Sequence, residues 1–172
     1  MKLPYSSESE IVIKEANRVA KKLGQNFVGS EHLLVALASV ADTTAYSILN
    51  NNGLDIVKVT DALKFILEPG GTITGEKDKY TEMVRMIFDD AQVEAARLSS
   101  DEVGTEHLLL AIIKAQSSVA VKLMQIEKIN MQKIYIDILM TCGVDLNTAK
   151  KEYAAIKKKS KTGNTGSTLN CQ

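Results

Sequence analysis

The sequence predicts an all-α protein: two tandem, pseudo-symmetric four-helix repeats, then a C-terminal helix and a disordered tail. The 172 residues include 5% aromatic residues, two prolines and no tryptophan, which is unlike the strand-rich, turn-rich composition of β proteins. Apolar residues recur at helical spacing through most of the chain. Residues 27–37 also recur as residues 102–112, an offset of 75 that holds without gaps from residue 5 to residue 67.

Copy one, residues 5–67, is predicted to contain four short helices. Ser6 or Ser7 is positioned to cap the first helix, and Gly24 follows its end as a left-handed stop. The other predicted helix starts are Ser30 for the second helix, Asp42 or Thr43 for the third, and Asp55 for the fourth.

Copy two, residues 81–142, repeats this pattern and completes a double-repeat domain over residues 1–144. Residues 68–80, which join the copies, are predicted to form a flexible polar linker because of their Pro-Gly-Gly sequence. An extra amphipathic helix is predicted over residues 145–159, with no counterpart in copy one. Residues 160–172 are nearly free of apolar residues, so we expect a disordered, flexible linker there.

The charges balance overall but not along the chain. Lys plus Arg and Asp plus Glu each number 21. Six lysines against two acidic residues give residues 145–172 a charge of +4, which leaves −4 on the first 144 residues. A protein that binds bulk nucleic acid needs a basic surface, so we expect no nucleic-acid partner. The basic face of the ninth helix is a candidate contact for an adaptor or an ATPase ring.

Several chemistries lack their sequence signatures. Cys142 and Cys171 have neither a disulfide-framework nor a zinc-site spacing, so no metal or other cofactor is expected. The sequence has no run of about 18 apolar residues, which predicts a cytoplasmic protein without a membrane partner. Residues 163–168 are the nearest approach to a phosphate-binding loop and lack its lysine. We therefore expect that this chain is not an enzyme.

The richest local chemistry is a Gly-[Ser/Thr]-Glu-His segment at the start of the second helix of each copy. A helix start favours anions, and Ser30 or Thr105 adds a hydroxyl there. The carboxylates of Glu31 and Glu106 are acceptors for a guanidinium. The pair suits a ligand with a phosphate and a guanidinium. The alternatives are ordinary helix-start chemistry with a packed or capping histidine, and a hydrolase, for which no nucleophile or third orienting group recurs.

With its doubled Val-Gly-[Ser/Thr]-Glu-His-Leu-Leu motif, the chain resembles the Clp N-terminal (Clp R) domain of AAA+ protein unfoldases over residues 5–142. The glycine in the Gly-[Ser/Thr]-Glu-His form of the motif is similar to that of the ClpC branch of the family. The resemblance implies a domain that docks substrate proteins and adaptors such as MecA. It implies two following ATPase rings that thread substrates into the ClpP peptidase, so ClpP is a partner only through the full-length protein. An alternative is a free-standing Clp-like regulator or adaptor without ATPase rings.

The resemblance to ClpC also implies binding of phosphorylated arginine. It assigns the guanidinium to Glu31 and Glu106, and the phosphoryl group to Ser30 and Thr105. Weaker candidates for the same pockets are Ser6, Thr81, Tyr5 and Tyr80.

Copy two departs from the family pattern beside its predicted pocket. It has Leu98-Ser99 where a Leu-Gly pair is expected, and acidic residues follow. Asp101 and Glu102 stand where copy one has Asn26 and Phe27. Because negative charge repels a phosphoryl group, we expect the site of copy one to bind phosphoarginine better.

Overall fold

The structure is a computed structural model that describes residues 2–66 and 79–169. Within these ranges the regular secondary structure consists of helices, joined by turns and loops, and two isolated β-bridges. The described helices are α1 (Ser7–Lys22), α2 (Ser30–Ser39), α3 (Thr44–Asn51), α4 (Ile56–Ile66), α5 (Glu82–Arg97), α6 (Thr105–Lys114), α7 (Val119–Ile126), α8 (Met131–Thr141) and α9 (Leu146–Leu169). The all-α class and the repeated four-helix unit are confirmed.

Most of the predicted helix starts and stops of copy one are present. The hydroxyls of Ser6 and Thr43 each accept a hydrogen bond from the backbone N–H three residues later, at 3.1 and 3.2 Å. Asp55 accepts from the backbone N–H two residues later at 3.0 Å. Gly24 has a φ of +70°, the left-handed conformation in which glycine ends a helix at little steric cost.

Helices α2 and α6 form the centre of the core. Nine of the ten residues of α2 and eight of the ten residues of α6 are buried. A helix that is apolar on nearly all sides must be surrounded, and the other helices of the repeats present one apolar stripe each to this central pair. The starts of α2 and α6 carry the candidate site, so the most rigid part of the core positions it.

The two copies interlock through the segments that precede their first helices. The Ser6 N–H donates to the carbonyl of Val103 at 3.0 Å, and the Thr81 N–H donates to the carbonyl of Val28 at 3.1 Å. Each contact joins the start of the first helix of one copy to the loop before the second helix of the other copy. The start of α1 therefore lies beside α6, and the start of α5 beside α2.

Helix α9 is longer than the sequence pattern predicts. It begins at Leu146, after Gly143 with φ +90°, and continues to Leu169. This corrects the predicted helix boundary at residue 159, because the helix continues ten residues beyond it. The flexible linker over residues 160–172 stays a prediction. The lysines around the predicted end are good helix formers, and no proline interrupts α9. Residues 170–172, and the predicted linker 68–80 except for its last two residues, lie outside the described residues.

Two negative findings apply to the described ranges. No group of three or more His, Cys, Asp or Glu side chains there is arranged to hold a metal ion. No single helix there is long and apolar enough to cross a membrane. Two helix pairs, α2 with α3 and α6 with α7, reach that length and composition when each pair is taken together, but both pairs are sharply bent. Buried core helices of other proteins meet the same criterion.

Candidate functional site

The start of each central helix is capped by a glycine and a histidine. Gly29 is the N-cap of α2, and its N–H donates to Nδ1 of His32 at 2.9 Å. Gly104 and His107 repeat this contact at 2.9 Å at the start of α6. The prediction that Ser30 caps α2 is wrong, because the imidazole three residues into the helix makes the reciprocal contact of a capping box. The capping role of the histidines, one of the alternatives above, is confirmed.

Both histidines are buried and held neutral. Burial lowers the pKa of His32 to about 4 and also lowers the pKa of His107. Since Nδ1 of His32 accepts the Gly29 N–H, the ring proton is on Nε2, which has no hydrogen-bond partner. An imidazole whose basic nitrogen is already occupied cannot act as a general base, which argues against a hydrolase that uses Glu31 and His32.

The hydroxyls of the Gly-[Ser/Thr]-Glu-His segments lie in the contact between the copies. Ser30 Oγ accepts the Ala120 N–H at 3.1 Å, and Thr105 Oγ1 accepts the Ala45 N–H at 3.2 Å. Both residues are 2% exposed. Each hydroxyl thus serves the first turn of the third helix of the opposite copy. Their assignment to a phosphoryl group stays a prediction.

The two carboxylates fold back over the capping glycines. A Cβ added at Gly29 would lie 2.5 Å from Oε2 of Glu31, and the same distance separates a Cβ at Gly104 from Oε2 of Glu106. Only glycine leaves room for this arrangement. Burial raises the pKa of Glu31, and hydrogen bonds from its own N–H and from the Ser30 hydroxyl oppose that shift. The side chain of Glu106 is 23% exposed, whereas that of Glu31 is 11% exposed.

Residues of both copies line the cavity at the start of α6, which has a volume of about 230 Å³. Ser6 of copy one and Glu106 of copy two share it. The interlocking of the copies thus brings together residues that are far apart in the sequence, and by the repeat it brings Thr81 to the side of Glu31. The lining residues are Ser6, Glu8, Asp42, Thr43, Thr44, Glu102, Gly104, Thr105 and Glu106.

The cavity at α6 is acidic, whereas the corresponding positions at α2 are not. Glu8, Asp42 and Glu102 line the α6 cavity. At an offset of 75, their counterparts at the start of α2 are Met83, Ser117 and Phe27. Sequence reasoning identified Glu102 but missed the other two acids, because they belong to copy one and the pairing between copies was not predicted.

The two predicted aromatic candidates pack on one side chain. Tyr5 and Tyr80 make edge contacts with Phe88 on α5, with ring centroids 6.1 and 5.3 Å apart. The Tyr80 hydroxyl also accepts a hydrogen bond from Nδ2 of Asn17 at 3.2 Å. Both tyrosines are therefore partly used in the contact between the copies, and a role in ligand binding stays a prediction.

A buried charge cluster in copy two was missed by sequence reasoning. Glu94 is 2% exposed and accepts hydrogen bonds at 2.5 Å from Lys114 Nζ and Arg97 Nη2. Burial opposes ionisation, but these two cations hold the pKa of Glu94 below its ordinary value. The comparison of the two copies could have indicated this buried charge, since Glu94 occupies the position at which copy one has the apolar residue Val19.

Residues 4–127, which include α1 to α7 and both Gly-[Ser/Thr]-Glu-His segments, match the family model of the Clp repeat (R) N-terminal domain. A probable ATP-dependent Clp protease ATP-binding subunit of Chlamydia pneumoniae is 31% identical over 136 residues, 78% of this chain and 16% of that relative. ClpC/MecB of Bacillus subtilis, a negative regulator of genetic competence, is 25% identical over 166 residues, 96% of this chain and 18% of that relative. The chain spans under one fifth of the length of these relatives.

Solved structures show the same fold at low identity. The N-terminal domain of the chaperone ClpD from Arabidopsis thaliana has a TM-score of 0.67 at 17% identity, with 80% of this chain and 96% of that one covered. A ClpV N-domain in complex with a VipB peptide has a TM-score of 0.61 at 16% identity, with 88% and 86% covered. From the family match, the shared fold and the doubled motif, we conclude that the chain belongs to the Clp repeat N-terminal domain family.

Proposed function

We propose that this chain is the substrate- and adaptor-docking N-terminal domain of a cytoplasmic, ATP-dependent Clp unfoldase of the ClpC type, and that it recognises phosphorylated arginine. The ATPase activity and any contact with ClpP belong to the longer protein. The observation that carries the proposal is the duplicated helix start, in which a carboxylate is held over a glycine beside a second helix start from the other copy. A MecA-type adaptor is the proposed adaptor class.

The two ends of phosphoarginine are assigned to different helix starts. The guanidinium pairs with Glu31 or Glu106, which offer two acceptor oxygens each. The first N–H groups of α1 and α5 have no acceptor within their own helices, and Ser6 and Thr81 cap these starts. The phosphoryl group therefore binds at α5 in the site of Glu31 and at α1 in the site of Glu106. This departs from the assignment of the phosphoryl group to Ser30 and Thr105, whose buried hydroxyls accept N–H groups of the other copy.

The site of Glu31 is the better phosphoarginine site in this proposal. In the site of Glu106, the additional carboxylates of Glu8, Asp42 and Glu102 line the cavity and repel a dianion. The corresponding positions around Glu31 carry no acidic residue. The greater burial of Glu31 also strengthens its interaction with a guanidinium.

Calorimetry with free phosphoarginine and with a phosphoarginine peptide tests the proposal. We expect Glu31→Ala to remove most of the binding, Glu106→Ala to remove less, and the double variant to abolish it. Glu10→Ala, on an exposed position of α1, is the matched control. Phosphoserine, which has no guanidinium, is expected to bind much more weakly. Equal affinity of the wild type and a folded double variant rejects the assigned role, and circular dichroism establishes that the variant is folded.

A further inference from the structure

Helix α9 shows how this fold holds an amphipathic helix. Ala149 is fully buried on α9, and Tyr153 packs against Tyr135 of α8 with ring centroids 5.5 Å apart. Glu152, between them, accepts hydrogen bonds from Arg97 Nη1 at 2.9 Å and from the Tyr135 hydroxyl at 3.2 Å. Apolar contacts and one carboxylate thus attach α9 to copy two.

Copy one has a groove at the corresponding place. It lies between α1, α2 and α4 and has a volume of about 370 Å³. At an offset of 75, Lys22 corresponds to Arg97, and Thr60 corresponds to Tyr135. Both Lys22 and Thr60 line the groove. The two positions that hold the carboxylate of α9 in copy two are therefore a cation and a hydroxyl in copy one.

The groove has an apolar floor and a positively charged rim. Arg18 pairs with Glu15 at 3.5 Å and Lys64 with Asp61 at 3.9 Å, whereas Lys22 makes no ion pair with the part of the chain that the structure describes. Two of the three rim cations are paired with acids, and Lys22 leaves a net positive charge that favours an acidic ligand. The lining is formed by Val19, Leu23, Val35 and Ile56 on the floor, with Glu15, Arg18, Lys22 and Lys64 among the polar residues.

We propose that this groove binds an amphipathic helix of a partner protein, with a glutamate between apolar residues at the spacing of Ala149, Glu152, Tyr153 and Ile156. The glutamate pairs with Lys22, and the apolar residues cover the floor of the groove. At the offset of 75, the sequence after α4 has Gly70 and Gly71 where copy two has Asp145 and Leu146, so α9 has no sequence counterpart in copy one. The inference deepens the proposed adaptor docking and rests on it, but it uses a surface separate from the starts of α2 and α6.

A second copy of this chain is a poorer occupant than a different protein. Its α9 carries lysines at positions 150, 151 and 157–159, which the positive rim of the groove repels. Its Glu152 is also already held by Arg97 and Tyr135 within its own chain. Charge and availability both favour a partner with an acidic amphipathic helix.

A stapled helical peptide tests the groove directly. Its sequence is that of residues 145–161 with every lysine replaced by glutamine, which keeps the α9 spacing and makes the peptide acidic. With the full chain, we expect saturable binding by fluorescence anisotropy and NMR shifts of amides in α1 and α4. Lys22→Glu is expected to lower the affinity about tenfold. Lys21→Glu, the neighbouring lysine outside the groove, is the matched control and is expected to retain it.

Three results would overturn the proposal: no binding, NMR shifts confined to α5 and α8, or equal affinity for the Lys22→Glu and Lys21→Glu variants. The double variant Glu31→Ala with Glu106→Ala separates this inference from phosphoarginine recognition. It is expected to bind the peptide as the wild type does. If phosphoarginine fails to bind the wild type while the peptide binds, only the assignment of the helix starts is lost.

Discussion

Replacing Gly29 with alanine tests whether the Glu31 carboxylate is fixed over the helix start. The backbone at Gly29, with φ −97° and ψ 175°, suits any residue. On backbone grounds alone, alanine at such a position stabilises a protein by about 0.4–1 kcal/mol. The obstacle is the added Cβ, which would lie 2.5 Å from Oε2 and 2.6 Å from Cδ of Glu31.

The magnitude follows from what Glu31 loses when it moves. Its carboxylate gives up hydrogen bonds from its own N–H and from the Ser30 hydroxyl, and bonds to charged groups contribute about 1.5–3 kcal/mol each before water replaces them. We expect Gly29→Ala to lower the free energy of unfolding by about 1–3 kcal/mol. The corresponding fall in Tm is about 2–4 °C per kcal/mol for a chain of this size.

A double-mutant cycle provides the decisive assay. Urea unfolding is measured for the wild type, Gly29→Ala, Glu31→Ala and the double variant. With Glu31 removed, the added methyl group meets no carboxylate, so Gly29→Ala is expected to become neutral or slightly stabilising. Gly104→Ala is the matched comparison and is expected to cost less, because the Glu106 side chain is more exposed and can move into solvent. Equal destabilisation by Gly29→Ala with and without Glu31 would refute the reasoning.

Three further predictions concern polar side chains in or beside the core. Folding lowers the pKa of His32 to about 4, so as the pH falls below about 6.5 the unfolded chain is protonated before the folded one. His32 is therefore expected to lower the free energy of unfolding by about 2 kcal/mol at pH 5. Unfolding of the wild type and His32→Asn at pH 7 and pH 5 measures this, and an equal pH dependence of the two proteins contradicts it. Glu94→Ala is expected to lower the free energy of unfolding by about 1–3 kcal/mol, because Lys114 and Arg97 lose their shared acceptor. Glu94→Val, the residue of copy one, is expected to cost less because it fills the space, and an equal cost for both variants contradicts this. Glu152→Gln is expected to speed amide hydrogen exchange in residues 147–156 of α9 relative to α2, whereas unchanged exchange would mean that apolar packing alone holds α9.

Much of the fold could be predicted because each repeat carries its own local signals. Thr43 caps a helix that begins at the next residue, and Gly24 ends the helix just before it. Both signals are local in the sequence, so pattern reasoning located them. Gly29 was missed as a cap because a serine follows it, and serine is the commoner cap. The imidazole that makes the capping contact lies three residues into the helix, where a histidine has no general preference for that role.

The candidate site was predicted only in part because its two halves come from different copies. An offset of 75 identifies equivalent residues, but it does not say that Ser6 lies beside Glu106 rather than beside Glu31. That depends on the pairing of Ser6 with Val103, a contact made only in the complete fold. The acids at positions 8 and 42 escaped notice for the same reason.

The interlocked copies also constrain when copy one can complete its folding during synthesis. The backbone that precedes α1 is fixed by Val103, so α1 cannot reach all of its final contacts until Val103 of copy two has left the ribosome. During that interval α1 packs on α2, but α2 still lacks the side chains of α6 and α7 that complete its burial. The first copy is thus expected to remain incompletely packed on the ribosome and to complete its structure only after the second copy has emerged.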